Sequence, residues 1–467
     1  MIIQDNYKGL KLISKIKNHF SKKNVLRIII SAVIAVLVYF ISSLYLNQQQ
    51  SILVSIVLFM VVLWTNEGLS LGTVSLLPLL LFPLLGVSSF KETLPNYFQP
   101  IMLLFVGGIL IALSIEKSSL HKFISKKIIS IFPKTPRGVI YSLAVTSAMM
   151  SAVLSNTTVA LMLLPVALSL SKDGKMRIRL LLALAYGASI GGILTPIGTP
   201  PNIIYLGFLD KLGMAAPSFF GWIILVAPLS ILMLLIVPYI ISFGVHRNKF
   251  EKIRTGKLNL HQKKLLFILA ALILLLLINS PIEPFYSGLG LNENYILFVF
   301  GLAMFLPGFS YLKFSDLKKF PIGIILLFGA GFAIAFAFLS IGLVDALSSS
   351  LVGLTSLPLI VMIGIIVLFV IFLTELTSNT ALTSVMIPTM YGFAQTTGMN
   401  VEFMLLIPTV AASMAFMLPI ATPPNAIILS SKAIRIRDMI KIGFLINLIA
   451  LVLITLVAFF YWQFMLA

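Results

Sequence analysis

Ser155-Asn156-Thr157 and Thr199-Pro200-Pro201-Asn202 recur later in the chain as Ser378-Asn379-Thr380 and Thr422-Pro423-Pro424-Asn425, both motifs at one and the same offset. Pro165 with Pro388 and Gly108 with Gly331 keep that register. Each copy lies in an otherwise apolar half of the chain. Short polar or Pro-broken stretches at matching positions of two apolar halves point to the binding site of a transporter.

The 467 residues are 59% hydrophobic and 10% charged, with a mean hydropathy of +1.09. Apolar runs of roughly 18 or more residues read as membrane spans, and they recur along nearly the whole length. No soluble domain fits in what remains. The net charge of +19 would suggest nucleic acid in a soluble chain. In a membrane protein it reflects Lys and Arg collected in cytoplasmic loops, so no nucleic-acid partner is expected. There are no cysteines, which excludes disulfides, thiolate metal sites and a cysteine nucleophile. His19, His121, His246 and His261 fall in basic loop or interfacial segments, which speaks against a His relay or His-bound metal within the membrane.

Hydrophobicity places spans at about 25–46, 50–64, 69–87, 99–116, 178–208, 217–243, 264–280, 292–308, 321–340, 401–431 and 442–464. The first is too long for the core of a cleaved signal and reads as a retained span. Residues 1–24 form a basic cytoplasmic arm (Lys8, Lys11, Lys15, Lys17, Lys22, Lys23). Residues 117–134 form a basic amphipathic interfacial arm, matched in the second half by 341–356. The apolar block 137–171 is interrupted by Ser155-Asn156-Thr157. At ~1.5 Å per residue it suits two short helices, not two crossings of a ~30 Å core. It reads as a re-entrant hairpin with the triplet at its tip, and 357–391 repeats it. The spans 178–208 and 401–431 are broken at their Thr-Pro-Pro-Asn motifs.

Charge tests this threading. With both blocks as hairpins and the N-terminus inside, all of the 33 Lys and Arg residues except Lys91 and Lys211 lie on the inner face. Turning either hairpin into a crossing would scatter the basic residues over both faces. Each half then holds five crossings, so the halves are oppositely oriented. The expected fold is an all-α polytopic membrane protein of 11 transmembrane spans plus two re-entrant hairpins, an inverted repeat. Its C-terminus is extracytoplasmic.

Unpaired backbone groups are tolerated at membrane depth only where they line a cavity or are buried in protein. Half-helix N-termini suit carboxylates, and half-helix C-terminal carbonyls suit hard cations such as Na⁺. Asn, Ser and Thr can donate and accept. A lone Ser or Asn in a membrane helix is more often packing glue than a ligand contact, and a lone Pro is usually a tolerated kink. Paired recurrence at one offset favours function. No Lys, Arg or His falls in a tip or break, so a bound dianion would lack a fixed counter-charge. Co-bound cations are the simplest remedy, which favours cation-coupled symport. Glu375, whose repeat mate is Ala152, either helps an ion site or makes a structural hydrogen bond. Glu67 reads as interfacial.

The triplets, the segment Thr374-Glu375-Leu376-Thr377-Ser378-Asn379-Thr380-Ala381 and the run Phe416-Met417-Leu418-Pro419-Ile420-Ala421-Thr422-Pro423-Pro424-Asn425-Ala426 resemble the divalent-anion:sodium symporters. These are the INDY-type di- and tricarboxylate transporters, and the resemblance covers essentially everything after residue 25. It implies a homodimeric elevator carrier. Its fixed scaffold would comprise spans in 25–116 and 217–340. Its moving transport domain would comprise 135–216 and 357–441, and 442–467 would hold the last span. The resemblance places substrate on Ser155, Asn156, Thr157, Thr199, Pro200, Ser378, Asn379, Thr380, Thr422 and Pro423. One Na⁺ site would use Ser151, Ser155, Asn156 and the Gly198 carbonyl. The other would use Thr374, Thr377, Asn379 and the Ala421 carbonyl. Thr199 stands where many relatives have Ser, adding a methyl to the same hydroxyl.

The resulting expectation is Na⁺-coupled import of C4-dicarboxylates (succinate, malate, fumarate) across the cell membrane, without a cofactor. The alternative is a Na⁺-independent dicarboxylate exchanger of the same fold. A channel can also use re-entrant loops. Hydrolase chemistry lacks Asp and His partners for a Ser nucleophile at membrane depth, so no enzyme is expected.

Overall fold

The computed structural model describes residues 22–245, 256–281, 285–307 and 311–466, excluding the side chains of 348–350. The expected basic arm up to residue 21, with His19, lies outside the described residues, as does His246 in the basic loop 244–264. Every regular element among the described residues is helical.

The described residues open with α1 (Lys22–Ser42), α2 (Gln48–Asn66), α3 (Leu71–Ser75), α4 (Leu77–Leu84) and α5 (Phe90–Thr93). A 3₁₀ turn, Leu94–Phe98, leads into α6 (Ile101–Lys117), and α7 (Leu120–Ile131) follows. The interrupted block forms α8 (Pro136–Ser151) and α9 (Asn156–Ser169), and the next broken segment forms α10 (Gly174–Gly192) and α11 (Pro200–Lys211). Then come α12 (Phe219–Ile241), α13 (Leu260–Asn279), α14 (Glu293–Ala303) and α15 (Ile322–Ser340). The remaining helices are α16 (Leu343–Leu351), α17 (Leu359–Thr374), α18 (Asn379–Thr397), α19 (Val401–Ala411), α20 (Pro423–Ser430) and α21 (Ile436–Val457). The starts of α7, α8, α9 and α11 are separated from those of α16, α17, α18 and α20 by the offset that separates the motifs.

Among the described residues, six helices are long and apolar enough to cross a membrane: α1, α2, α12, α13, α15 and the helix from Ile436 to Met465 that α21 begins. The segment Phe90–Phe98 with α6 makes a seventh if taken as one span bent by 41°. The other expected spans fall on short or broken helices. In 69–87 the cause is Pro78, which supplies no N–H and sits in the first turn of α4, so the helix restarts after Leu76. The last span begins earlier than expected, because Ile436–Val457 is continuous helix and runs on through a π-type turn, Ala458–Trp462.

Two packing devices bring helices together where burial of apolar surface against lipid gives little drive. Small residues allow close approach: Gly187 and Gly191 on α10 face Ala144 and Ala148 on α8, and Gly107 on α6 crosses Gly301 on α14. Polar side chains also bond across helices, as when Ser55 Oγ donates to Ala35 O (2.7 Å) and Asn66 Nδ2 to Ser31 Oγ (2.9 Å). Apolar side chains on α1 such as Leu37 and Phe40 stay exposed, as a lipid-facing surface would.

A Cβ on Gly107 would stand 2.2 Å from Leu297 O, whereas one on Gly174 meets nothing within 4 Å. Gly107→Val should destabilise the protein by at least ~1–3 kcal/mol, and Gly174→Ala should not. Thermal denaturation of the detergent-purified protein checks this; equal melting of Gly107→Val and the unaltered chain would refute the crossing.

Candidate functional site

The two hairpin tips are built alike. Helix α8 ends at Ser151, the chain turns, and α9 starts at Asn156; α17 ends at Thr374 and α18 starts at Asn379. Asn156, Thr157, Asn379 and Thr380 therefore occupy the first turns of their helices, where backbone N–H groups have no intrahelical partner. Ser155 caps α9 by accepting from Thr158 N (3.2 Å), and its Oγ lies 2.8 Å from Thr158 Oγ1. Ser378 makes no such cap bond, and Ala381 stands where Thr158 stands in the first half. Inside each hairpin a hydroxyl holds the tip amide: Ser151 Oγ donates to Asn156 Oδ1, and Thr374 Oγ1 lies 2.8 Å from Asn379 Oδ1. Thr374 Oγ1 is also 2.7 Å from Ala412 O, so its single proton serves one acceptor at a time. Thr377 Oγ1 donates to Leu373 O of its own hairpin (3.0 Å).

The breaks also match. Thr199 and Thr422 precede the half-helices with nearly the same extended backbone (φ −146°, ψ 147° and φ −140°, ψ 145°). Two prolines follow each Thr, so the first two positions of α11 and α20 carry no N–H at all.

All four motif segments face one cavity of about 880 Å³. Its wall includes Ser155, Asn156, Thr157, Thr199, Pro200, Ser378, Asn379, Thr380, Thr422 and Pro423, and also Gly198 and Ala421. Ser151, Thr374 and Thr377 are not on that wall; Ser151 and Thr374 are fully buried behind the tips. Among the described residues, Lys319 is the one basic residue on the wall, and its carboxylates are Glu67 and Glu116. Lys319 Nζ is 3.5 Å from Glu116 Oε1, and beside them Lys117 Nζ is 2.5 Å from Asp316 Oδ2. The hydrogen bond from Lys117 holds the Asp316 carboxyl below the usual carboxylate range. Among the described residues no group of three or more His, Asp or Glu could hold a metal ion. A hard cation here would depend on hydroxyl, amide and carbonyl oxygens.

Glu375 takes the structural side of its two sequence readings. It is buried, and Oε1 accepts from Phe416 N (2.7 Å), Met417 N (2.8 Å) and Asn447 Nδ2 (2.7 Å), while Oε2 accepts from Leu418 N (2.8 Å). Three successive N–H groups form a nest for an anion, and the carboxylate fills it from the second hairpin. The first half has a different fastening, because Ala152 replaces Glu375: Thr195 Oγ1 donates to Ala152 O, and Trp222 Nε1 donates to Ile193 O (2.9 Å). Sequence reasoning missed Asn447, Thr195 and Trp222, none of which has a repeat mate of its own kind. It also missed Lys319 and Glu116, which meet from distant parts of the chain.

Glu375→Ala leaves Met417 N, Leu418 N and the Asn447 amide without their acceptor in a buried break and should cost on the order of 3–5 kcal/mol, at ~1–3 kcal/mol for each orphaned buried group. Glu375→Gln keeps shape and one acceptor and should lose less. The ordering unaltered > Gln > Ala in melting temperature is the expected result; a Glu375→Ala protein as stable as the unaltered one would remove the clamp.

A citrate transporter family model matches residues 56–411. The chain is 32% identical over 426 residues to an uncharacterized transporter of Haemophilus influenzae, covering 86% of this chain and 90% of that one. It is 28% identical over 453 residues to sodium-dependent high-affinity dicarboxylate transporter 3 of Caenorhabditis elegans (85% and 80% covered). It is 28% identical over 445 residues to the sodium-dependent dicarboxylate transporter SdcS of Staphylococcus aureus (87% and 85%). Its fold is similar to the YdaH transporter of Alcanivorax borkumensis, with a TM-score of 0.59 over 80% of this chain and 88% of that one, at 14% identity. The chain is thus a multi-pass membrane transporter, not an enzyme, and it belongs to the citrate transporter family within the divalent-anion:sodium symporters.

Proposed function

We propose that this protein imports C4-dicarboxylates such as succinate, malate and fumarate, coupled to Na⁺, by an elevator movement within a homodimer in the cell membrane. One observation carries the reading: the two tips and two breaks, drawn from separate halves of the chain, line a single cavity. The N-terminal turns of α9 and α18 offer backbone N–H donors and positive dipole ends to two carboxylates. Asn156, Thr157, Asn379 and Thr380 add side-chain partners. Ser151, Ser155, Asn156 and the Gly198 carbonyl form the first proposed Na⁺ site, and Thr374, Thr377, Asn379 and the Ala421 carbonyl form the second. Lys319 is engaged with Glu116, so charge on a bound dianion falls to co-bound cations. The C. elegans and S. aureus relatives, whose names state sodium-dependent dicarboxylate transport, support the same cargo and coupling.

The elevator reading uses 11 spans, two re-entrant hairpins and an inverted repeat, with 25–116 and 217–340 fixed and the hairpin–broken-helix units 135–216 and 357–441 moving. Glu67, Glu116 and Lys319 edge the cavity on the face that the Lys and Arg bias assigns to the cytoplasm. Ser155 and Thr157 of the first tip are exposed to the cavity, while Thr380 of the second is buried. This corresponds to an inward-open state with the N-terminus cytoplasmic and the C-terminus outside. On the far face Lys211, at the end of α11, donates to Asn96 Oδ1 (2.6 Å) and sits 4.8 Å from the Phe336 ring centre. That tie joins a proposed moving helix to the proposed scaffold and would part on reversal.

Proteoliposomes given labelled succinate, with Na⁺ or choline outside and nothing inside, test the proposal. Uptake should need Na⁺. Uptake that ignores Na⁺ but requires internal dicarboxylate would instead make the protein an exchanger. Asn156→Ala and Asn379→Ala should each reduce uptake to near background in protein that still folds, since each removes a group shared by substrate and ion. Normal transport by both would defeat the two-site arrangement.

A further inference from the structure

Asn202 and Asn425 close the two Thr-Pro-Pro-Asn motifs as the third residues of α11 and α20, and both are 0% exposed. Asn202 Nδ2 stands 2.8 Å from Thr195 O, 3.2 Å from Gly192 O and 3.4 Å from Ile193 O. Asn425 Nδ2 stands 3.1 Å from Leu418 O and 3.2 Å from Ala415 O. Thr195 pairs with Leu418, and Gly192 with Ala415, at the same repeat offset, so equivalent carbonyls are tied in each half. Carbonyls only accept, so the NH₂ end of each amide must face them, which settles which way each amide points.

The other end of each amide is then fixed as well. Asn202 Oδ1 and Asn425 Oδ1 are both buried, and neither has a hydrogen-bond partner. A buried acceptor without a donor is uncommon and calls for an explanation. Here two occur at equivalent positions of two different halves, so neither is an accident of one loop. Only a donor or a cation can satisfy such an oxygen.

The surroundings connect the first of these amides to the cavity, and the repeat offset places the second in the equivalent position. A Cβ on Gly198 would stand 2.4 Å from Gly192 O, the carbonyl that Asn202 holds. A Cβ on Gly192 would stand 2.8 Å from Asn156 Oδ1 at the hairpin tip. Asn202, Gly192, Gly198 and Asn156 are therefore neighbours in one continuous cluster. The prolines at the first two positions of α11 and α20 offer the Gly198 and Ala421 carbonyls no N–H, while the Asn ties up those at the preceding turn.

Resting on the Na⁺-coupled reading, we propose that Asn202 and Asn425 are positioning residues for cation binding. Each Nδ2 locks the carbonyls of its break so that the Gly198 or Ala421 carbonyl is held toward the ion. Each bare Oδ1 finds its partner when the ion, or a water it carries, arrives. The pair sets the Na⁺ affinity of the carrier and leaves dicarboxylate recognition to the tips.

The test uses the full-length protein, purified and in proteoliposomes, with Na⁺ replaced stepwise by choline. Na⁺-dependent thermal stabilisation and Na⁺-dependent succinate uptake are read for Asn202→Ala, Asn425→Ala and the corresponding Thr variants, which keep one donor. Losing a buried hydrogen-bonding group should raise half-saturating Na⁺ about tenfold in each Ala variant, with succinate KM at saturating Na⁺ changed by less than about twofold. The Thr variants should fall between Ala and the unaltered protein, and they carry the test if an Ala variant does not fold. A purely structural role would lower melting temperature without moving the Na⁺ midpoint. An unchanged Na⁺ midpoint, or a raised succinate KM with Na⁺ response intact, overturns the assignment. If the unaltered protein itself ignores Na⁺, the coupled-transport reading fails first; if it responds and the variants match it, this inference alone fails.

Discussion

Backbone N–H and C=O groups released at a helix break have no water to turn to at membrane depth, and each unpaired one costs several kcal/mol. The two hairpin turns and two Thr-Pro-Pro-Asn breaks of this chain release such groups around one cavity. The local architecture follows from where those groups find partners. Groups facing away from the cavity are bound by side chains: Asn202 and Asn425 take carbonyls, Glu375 takes three N–H groups, and Thr195 and Trp222 secure the first break. Of the first-turn N–H groups of α9, Thr158 N is taken by Ser155 Oγ, whereas those of Asn156 and Thr157, like those of Asn379 and Thr380 on α18, have no intrahelical partner. The same accounting that keeps the fold intact thus leaves a polar surface that a carboxylate and a hard cation can use.

The halves solve one problem with different chemistry. The second uses a buried carboxylate against successive amides, held also by Asn447 on α21. The first uses neutral donors onto carbonyls and no charge. A buried carboxyl group therefore sits beside the second hairpin with no equivalent beside the first. The pseudo-symmetry of the motif positions does not extend to how the two breaks are fastened.

Much of this was legible in the residues. The offset between the motifs reappears in the helix starts, because Pro at the first helical position and Asn or Ser at helix entries carry strong local preferences. The interrupted block 137–171 does consist of two short helices, whereas in the second block α18 runs beyond 391 to Thr397 and is 19 residues long. The ten residues chosen from the motifs share one cavity wall. Legibility ended where a feature depended on tertiary contact. A carboxylate that accepts backbone N–H groups leaves no pattern in sequence, so Glu375 stayed between two readings. Lys319 and Glu116 meet only through folding, and hydropathy alone does not separate a continuous span from the pair α3 and α4 that Pro78 divides.

The central claim is that both halves build one site, with a carboxylate group at each hairpin tip. A cryo-EM map of the protein with succinate and Na⁺ tests it most directly. The account predicts ligand density bridging the N-terminal turns of α9 and α18, in contact with Asn156 and Asn379. Density confined to one tip, or lying away from both, would contradict it.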